Sequence, residues 1–442
     1  MNKKAYIEIK KIKGNEYAYI STNIWDEKRK KETKKRKYLG KSKDNLIIMK
    51  DFAIPEKTFQ YGDISLIINL NRDSIIRILD AKSKYNKEII ALCLIITLYR
   101  SPLYNAKYYY KKTFISYVWP RLKLNVENIN PILRALALNR ENYEFEVNID
   151  EDVILLHIEV GMSIPSSLNS NNVYAILDIF LDAKTMDIIT TKHIIDNFDS
   201  IERFIHLSEE PENSGILILE DSYYSKNNLK LLKKMGKNFI MELSNDNAIN
   251  ELKNELLHGK IVLKKGYNDF LKRYIFHTEF HKNGLWYFLF MDHDVPRESI
   301  ELKNFKNIKF AVTNLNINHN LIYQAINIRR FIAITILYSK YRLYSDREFL
   351  RDSVSIEGYI LLNSLSLKFY LSLFKHHNYL VKGRMKMMEN FLLELSTVNI
   401  FLIKNEIYMT KINKKLLNEM NLLMNDVDPL IRDYKSLMNI LK

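Results

Sequence analysis

The stretch that most constrains the fold of this chain runs from Ile216 to Leu243, ILILEDSYYSKNNLKLLKKMGKNFIMEL. It opens on an apolar run from Ile216 that ends in the acidic pair Glu220-Asp221. The run is too short for a helix and too apolar to face water, so it reads as a buried central strand. Ser225 then precedes apolar residues at Leu229, Leu231, Leu232 and Met235, which is helical spacing with Ser as the N-cap. Gly236 closes that helix, and Phe239, Ile240, Met241 and Leu243 begin a further strand. Strand, helix and strand in this succession put Glu220 and Asp221 at a strand's carboxyl end. Ligands and metals bind at that edge of an α/β sheet.

The segments before and after extend the pattern. VILLHIEV (153–160) reads as a buried strand, and VYAILDIFL (173–181) with IITTKHII (188–195) as a hairpin around Asp182-Ala183-Lys184. This gives three strands of antiparallel order, then one reached through a connection. Residues 245–310 alternate or run apolar between Gly and Asn turns and read as β-rich. Helical spacing dominates 65–145, with NRDSIIRILDAKSKYNKEIIALCLIITLYR, a Tyr-rich basic continuation and a short helix after Asn130-Pro131. It returns over 321–380, and 384–442 reads as an amphipathic helical tail. Cys93, the single cysteine, lies inside IIALCLIITLY and reads as core; it excludes an internal disulfide and a Cys-based zinc site.

Residues 216–243 resemble the second acidic motif of the DDE transposases of prokaryotic insertion sequences, the group marked by Tyr-x2-Arg-x3-Glu-x6-Lys. There a buried strand ends in Asp-Arg-Gly-Phe-Tyr-Ser before a helix opening on Asn-Leu. Here Glu220-Asp221-Ser222-Tyr223-Tyr224-Ser225 precedes Asn228-Leu229. An ungapped match sets Glu220 on the metal-binding Asp, and a slip of one residue sets Asp221 there. The resemblance implies an α/β fold with a ribonuclease-H-like core (148–243 plus 311–380) interrupted by a β-rich insertion (244–310). Around it the same resemblance expects a basic N-terminal β unit (1–50), a helical DNA-binding domain (60–147) and a helical tail (381–442).

Such enzymes cut and join phosphodiesters with two Mg²⁺ ions about 4 Å apart, which requires clustered carboxylates as hard oxygen ligands. The resemblance therefore implies Mg, or Mn, as cofactor, with Glu159, Glu220 and Asp221 as the candidate ligands. Glu159 stands on the first strand where an Asp is expected, with His157 two residues earlier and Asp152 just before the strand. Its extra methylene displaces the carboxylate, which the strict octahedral shell of Mg²⁺ tolerates poorly. Setting the motif's Arg on Arg329 puts its Lys on Lys340, while Ile326 takes the Tyr position and Ala333 the Glu position. On a helix Arg, Glu and Lys at i, i+4 and i+11 lie near one face. The frame and its basic residues persist, and the third carboxylate is missing. Glu348, Asp352 and Glu357 lie too far downstream to stand in for it and read as surface acids. His277 and His281 fall four apart in a strand context, which does not bring them together, and His376-His377 lies in a Lys-rich helix end.

A net charge of +15 points to a polyanionic partner, and residues 1–50 alone hold 16 Lys and Arg against 6 acids. They read as a strand, a charged turn and a return strand. Lys28, Arg29, Lys30, Lys31, Lys34, Lys35, Arg36 and Lys37 are the candidate phosphate contacts. No run of about 18 uncharged apolar residues appears, which predicts no membrane span. The basic start lacks the apolar core of a secretory signal. By resemblance the partners are duplex DNA with terminal inverted repeats and a second copy of the chain, in a cytoplasmic, nucleoid-associated setting. The sequence thus leaves two readings of one descent, a DNA transposition enzyme and a DNA-binding protein without catalysis. A basic RNA-binding protein is the third class.

Overall fold

The computed structural model describes residues 5–26, 30–43, 46–49, 56–143, 154–164, 173–184, 188–195, 215–243, 264–268, 273–292, 308–375, 385–403, 406–410, 412, 416 and 434–441. The chain is an α/β protein with two mixed sheets, divided into two compact units. One unit comprises Met1–Asp80, Asn86–Asn128 and Arg384–Lys442; the other comprises Ala81–Tyr85 and Ile129–Gly383. Among the described residues no single helix is long and apolar enough to cross a membrane.

The first unit opens with β1 (Ala5–Ile12), β2 (Asn15–Asp26), β3 (Lys31–Lys43), β4 (Leu46–Met49) and β5 (Lys57–Gln60). Lys13 and Gly14 both take positive φ, 49° and 81°, as the tight β1–β2 hairpin turn requires. Helices α1 (Gly62–Leu70), α2 (Arg72–Asp80), α3 (Asn86–Tyr99), α4 (Ala106–Lys112) and α5 (Ile115–Val118) follow. Helix α3 is apolar on nearly every side because it is buried on nearly every side, and Cys93 is part of that core.

The segment after residue 384 departs from the helical expectation. Between α10 (Met385–Leu395) and α11 (Tyr434–Leu441) it forms a hairpin, β15 (Asn399–Ile403) and β16 (Glu406–Thr410). NIFLI and EIYMT are rich in β-branched and aromatic residues, and pairing with partners far away in sequence overrides the amphipathic pattern. Strand β16 runs parallel to β1, and β15 pairs with β5, completing a sheet of order β4-β3-β2-β1-β16-β15-β5. Helix α1 begins against the start of that hairpin. A Cβ on Gly62 would fall 2.5 Å from the Leu395 carbonyl, so only glycine permits the approach.

The second unit holds most of α6 (Val126–Leu138), then β6 (Leu155–Ile164), β7 (Val173–Asp182), β8 (Ile188–Ile195) and β9 (Ile216–Leu219). Next come α7 (Lys226–Lys234), β10 (Phe239–Leu243), β11 (Lys264–Asn268), β12 (Arg273–Lys282), β13 (Leu285–Asp292) and β14 (Ile308–Thr313). Two long helices close it, α8 (His319–Asp346) and α9 (Ser353–Lys375). The sheet order is β11-β12-β13-β14-β10-β9-β6-β7-β8. Strands β6, β7 and β8 form an antiparallel meander, β9 is parallel to β6, and β10 is parallel to β9. The remaining four continue antiparallel, so the β-rich segment extends the same sheet.

Alternation along the strands assigns the two faces. Leu217, Leu219, Phe239, Met241, Phe310 and Val312 bury one face with Leu232 of α7. Helix α8 takes the other, where Tyr323 packs on Phe290 at 5.0 Å and Arg330 Nε donates to Glu242 at 2.8 Å. Helix α9 sits so close to α6 that a Cβ on Gly358 would run into the Leu133 carbonyl.

One buried charge carries a pH signature. Asp63 in α1 is enclosed, accepting hydrogen bonds from Gln60 Nε2 at 2.5 Å and the Ile64 N–H at 2.8 Å. Burial lifts its pKa from 3.8 to about 6. A folded value above the unfolded one favours the fold below pH 4 and penalises it as pH rises through about 6. The rise corresponds to about 3 kcal/mol at neutral pH. Asp63→Asn, with the Gln60 amide turned over to accept, is therefore expected to stabilise the protein at pH 7.5 by up to that amount. Urea titrations across the pH range check it, and the gain should shrink several-fold by pH 4.

Candidate functional site

The site is assembled at the carboxyl end of β9. All four residues of this strand are buried, and Gly215 before it takes φ 93° to clear the Leu155 carbonyl. Glu220 continues in extended conformation, and Asp221 opens a short 3₁₀ turn through Tyr223, whose ring is buried. Ser225 caps α7, its hydroxyl accepting the Asn228 N–H at 3.1 Å, and Gly236 ends that segment with φ 66°. The strand–helix–strand unit read from the sequence therefore forms at the expected positions.

Parallel pairing sets the first and second motifs on neighbouring strands but on opposite faces of the sheet. Ile158 of β6 pairs with Ile218 of β9, so position 159 shares the α7 face with Leu219, while position 220 shares the α8 face with Glu242. The expected single pocket for 159, 220 and 333 is not formed. Adjacent strands lie about 4.8 Å apart. Opposite Glu159 on β7 is Asp178. The side chain of Glu159 lies outside the described residues, as do Asp152, His376 and His377 and the side chain of Lys340.

The third motif reaches the second directly. Helix α8 packs across β6, β9 and β10, and Arg329 Nη2 meets Glu220 Oε1 at 2.6 Å. Two sequence-predicted residues thus form one ion pair. Ala333 lies one helical turn beyond Arg329, half-buried, and offers no ligand atom. The downstream acids are engaged elsewhere: Asp352 pairs with Arg134, Glu357 with Arg140 at 3.4 Å, and Glu348 is exposed.

A buried pair beside the first motif escapes sequence reasoning. His157 Nε2 lies 2.9 Å from Asp178 Oδ1, both side chains at most 1% exposed, with Phe180 stacked on the imidazole at 4.4 Å. The one signal was an Asp inside the apolar strand VYAILDIFLD, since a buried carboxylate demands a partner. His277 and His281 do not come together. His277 stacks on His319 at 3.6 Å, and His281 packs on Trp286 at 4.9 Å. Burial first, then the neighbouring His319, lower the His277 pKa to about 4, and burial lowers that of His319 as well. Both rings are neutral at pH 7.

The described side chains around Glu220 do not make a carboxylate cluster for a divalent metal. Among the described residues no group of three or more His, Cys, Asp or Glu side chains converges. At the second position a guanidinium already holds the carboxylate that would have to bind the ion. The arrangement pairs Arg329 with Glu220, so each charge is compensated by the other. Of the basic turn, Lys28 and Arg29 and the side chain of Lys31 lie outside the described residues. Lys30, Lys35, Arg36 and Lys37 are exposed, and Lys34 contacts Glu8 at 2.7 Å. No protein-family model matches the chain, and no curated protein matches it.

Arg329 is 10% exposed and Glu220 47%, so solvent screens the pair from one side. A double-mutant cycle of Arg329→Met and Glu220→Gln should return a coupling of about 1 kcal/mol or less. It should fall further in 1 M salt, where the Debye length is about 3 Å. Unfolding titrations at two salt concentrations measure both.

Proposed function

We propose that the chain is a DDE-type insertion-sequence transposase by descent, retained as a DNA-binding protein with strand cutting impaired or abolished. In this reading the second unit is a ribonuclease-H-like core. What supports it is a meander followed by two strands parallel to its first member, with a helix crossing the sheet beside Glu220. The β-rich segment that interrupts this core extends its sheet, in keeping with the same ancestry.

The observation that carries the proposal is the Glu220–Arg329 ion pair. It joins the segments compared with the second and third motifs, which stand far apart in sequence. The same pair argues against retained chemistry. An intact site of this class would take Mg or Mn on three carboxylates; here Ala333 supplies none and Glu220 is neutralised by a guanidinium. What the chain's own residues do is bind: exposed Lys and Arg of the β2–β3 hairpin contact phosphates of duplex DNA. The partners are element ends with terminal inverted repeats, held by a pair of subunits.

Two measurements test this. Incubated with duplexes carrying the terminal repeats of its own element, the native chain is expected to bind without Mg- or Mn-dependent nicking. Nicking above background would restore the enzyme reading, and nicking gained by Ala333→Glu would show that only the third acid had been missing. Replacing Lys35, Arg36 and Lys37 with Ala should flatten the plot of log affinity against log salt by about 0.9 for each phosphate the protein no longer neutralises. An unchanged slope removes this hairpin from the interface.

A further inference from the structure

We infer that the outward face of the β1–β2–β3 sheet binds unpaired bases of single-stranded DNA. The inference rests on the DNA-binding reading above and adds the form of the nucleic acid. Register places Tyr6, Glu8 and Lys10 of β1 on one face with Tyr17, Tyr19 and Ser21 of β2. Arg36, Tyr38 and Lys41 of β3 join them there.

A β-bulge borders this face. Ala18 pairs with Gly40 but Tyr19 pairs with Tyr38, which leaves Leu39 as an extra residue on β3. Leu39 turns inward, buried with Ile7 and Ala18, and Tyr38 turns outward, 44% exposed. Without the extra residue the alternation from Tyr38 would carry Lys41 to the inner side, and the bulge returns it to the outward face opposite Tyr17. Tyr38 lies beside Tyr19 and Tyr17, at ring-centroid distances of 5.5 Å and 6.2 Å. The rings are tilted by 59° and 50°, so they do not cover one another's faces as a stacked pair would.

Charge identifies the occupant. Lys34 and Arg36 both reach Glu8, at 2.7 Å and 3.2 Å, leaving a net positive cluster, and the Lys34 ammonium lies 5.1 Å from the Tyr6 ring centre. Cations beside open aromatic faces suit a polyanion whose units each present a flat π surface. Duplex DNA keeps its base faces inside its own stack, so phosphate contact would leave the tyrosines unused. Unpaired bases use both.

The test uses the full chain and fluorescence anisotropy with three probes of equal length, about 15 nucleotides, to span a site of this kind. These are oligo(dT), an abasic oligodeoxynucleotide with the same phosphates, and a duplex. The native chain should bind oligo(dT) about tenfold or more tighter than the abasic strand. Tyr38→Leu and Tyr19→Leu should each reduce that ratio about fivefold, the loss of one base–aromatic stack, and Tyr38→Phe should preserve it. The ratio is taken within each variant, so a folding defect that weakens both probes does not imitate the effect. Equal binding of the base-bearing and abasic strands, or a full ratio in both Leu variants, overturns the inference. If the duplex still binds in that case, the DNA-binding reading survives; if no probe binds, both fall.

Discussion

The acidic edge of the second unit depends on the burial of β9 between two strands that run the same way. Its four apolar side chains have no place in water, and its backbone groups are satisfied by β6 on one side and β10 on the other. Glu220 leaves the end of β9 on the face that α8 crosses, and Arg329 meets it there. Position 159 lies inside β6 on the other face, level with Leu219.

Much of this unit was legible because local and tertiary preferences agree. The apolar run at 216–219, the Ser225 cap, the helical spacing and Gly236 all name the same element boundaries, and the meander strands alternate or run apolar over the lengths they adopt. Legibility ended where partners are distant. Nothing in NIFLI or EIYMT states that their backbone groups will pair with β5 and β1, hundreds of residues earlier, and the amphipathic pattern read over the whole of 384–442 masks two short segments of strand formers. Arg329 was recognisable by spacing, but its role as the counter-ion of Glu220 follows from packing alone. Likewise, Asp178 becomes meaningful only once β7 lies beside β6 and His157 is within reach.

Charge balance settles the end of β9: the guanidinium of Arg329 offsets the carboxylate of Glu220. The neighbouring His157–Asp178 pair follows the same logic further inside, where each polar group provides the other's solvation.

The parallel pairing of β1 with β16 also has a consequence for synthesis. Residues 5–12 leave the ribosome long before their neighbour at 406–410, with the whole second unit made in between. Until then the β1 edge presents unsatisfied amide and carbonyl groups to the cell, an open template for another strand. The lysines along and beside this strand, Lys10, Lys11 and Lys13, put like charges at that edge, a feature that disfavours edge-to-edge pairing of copies.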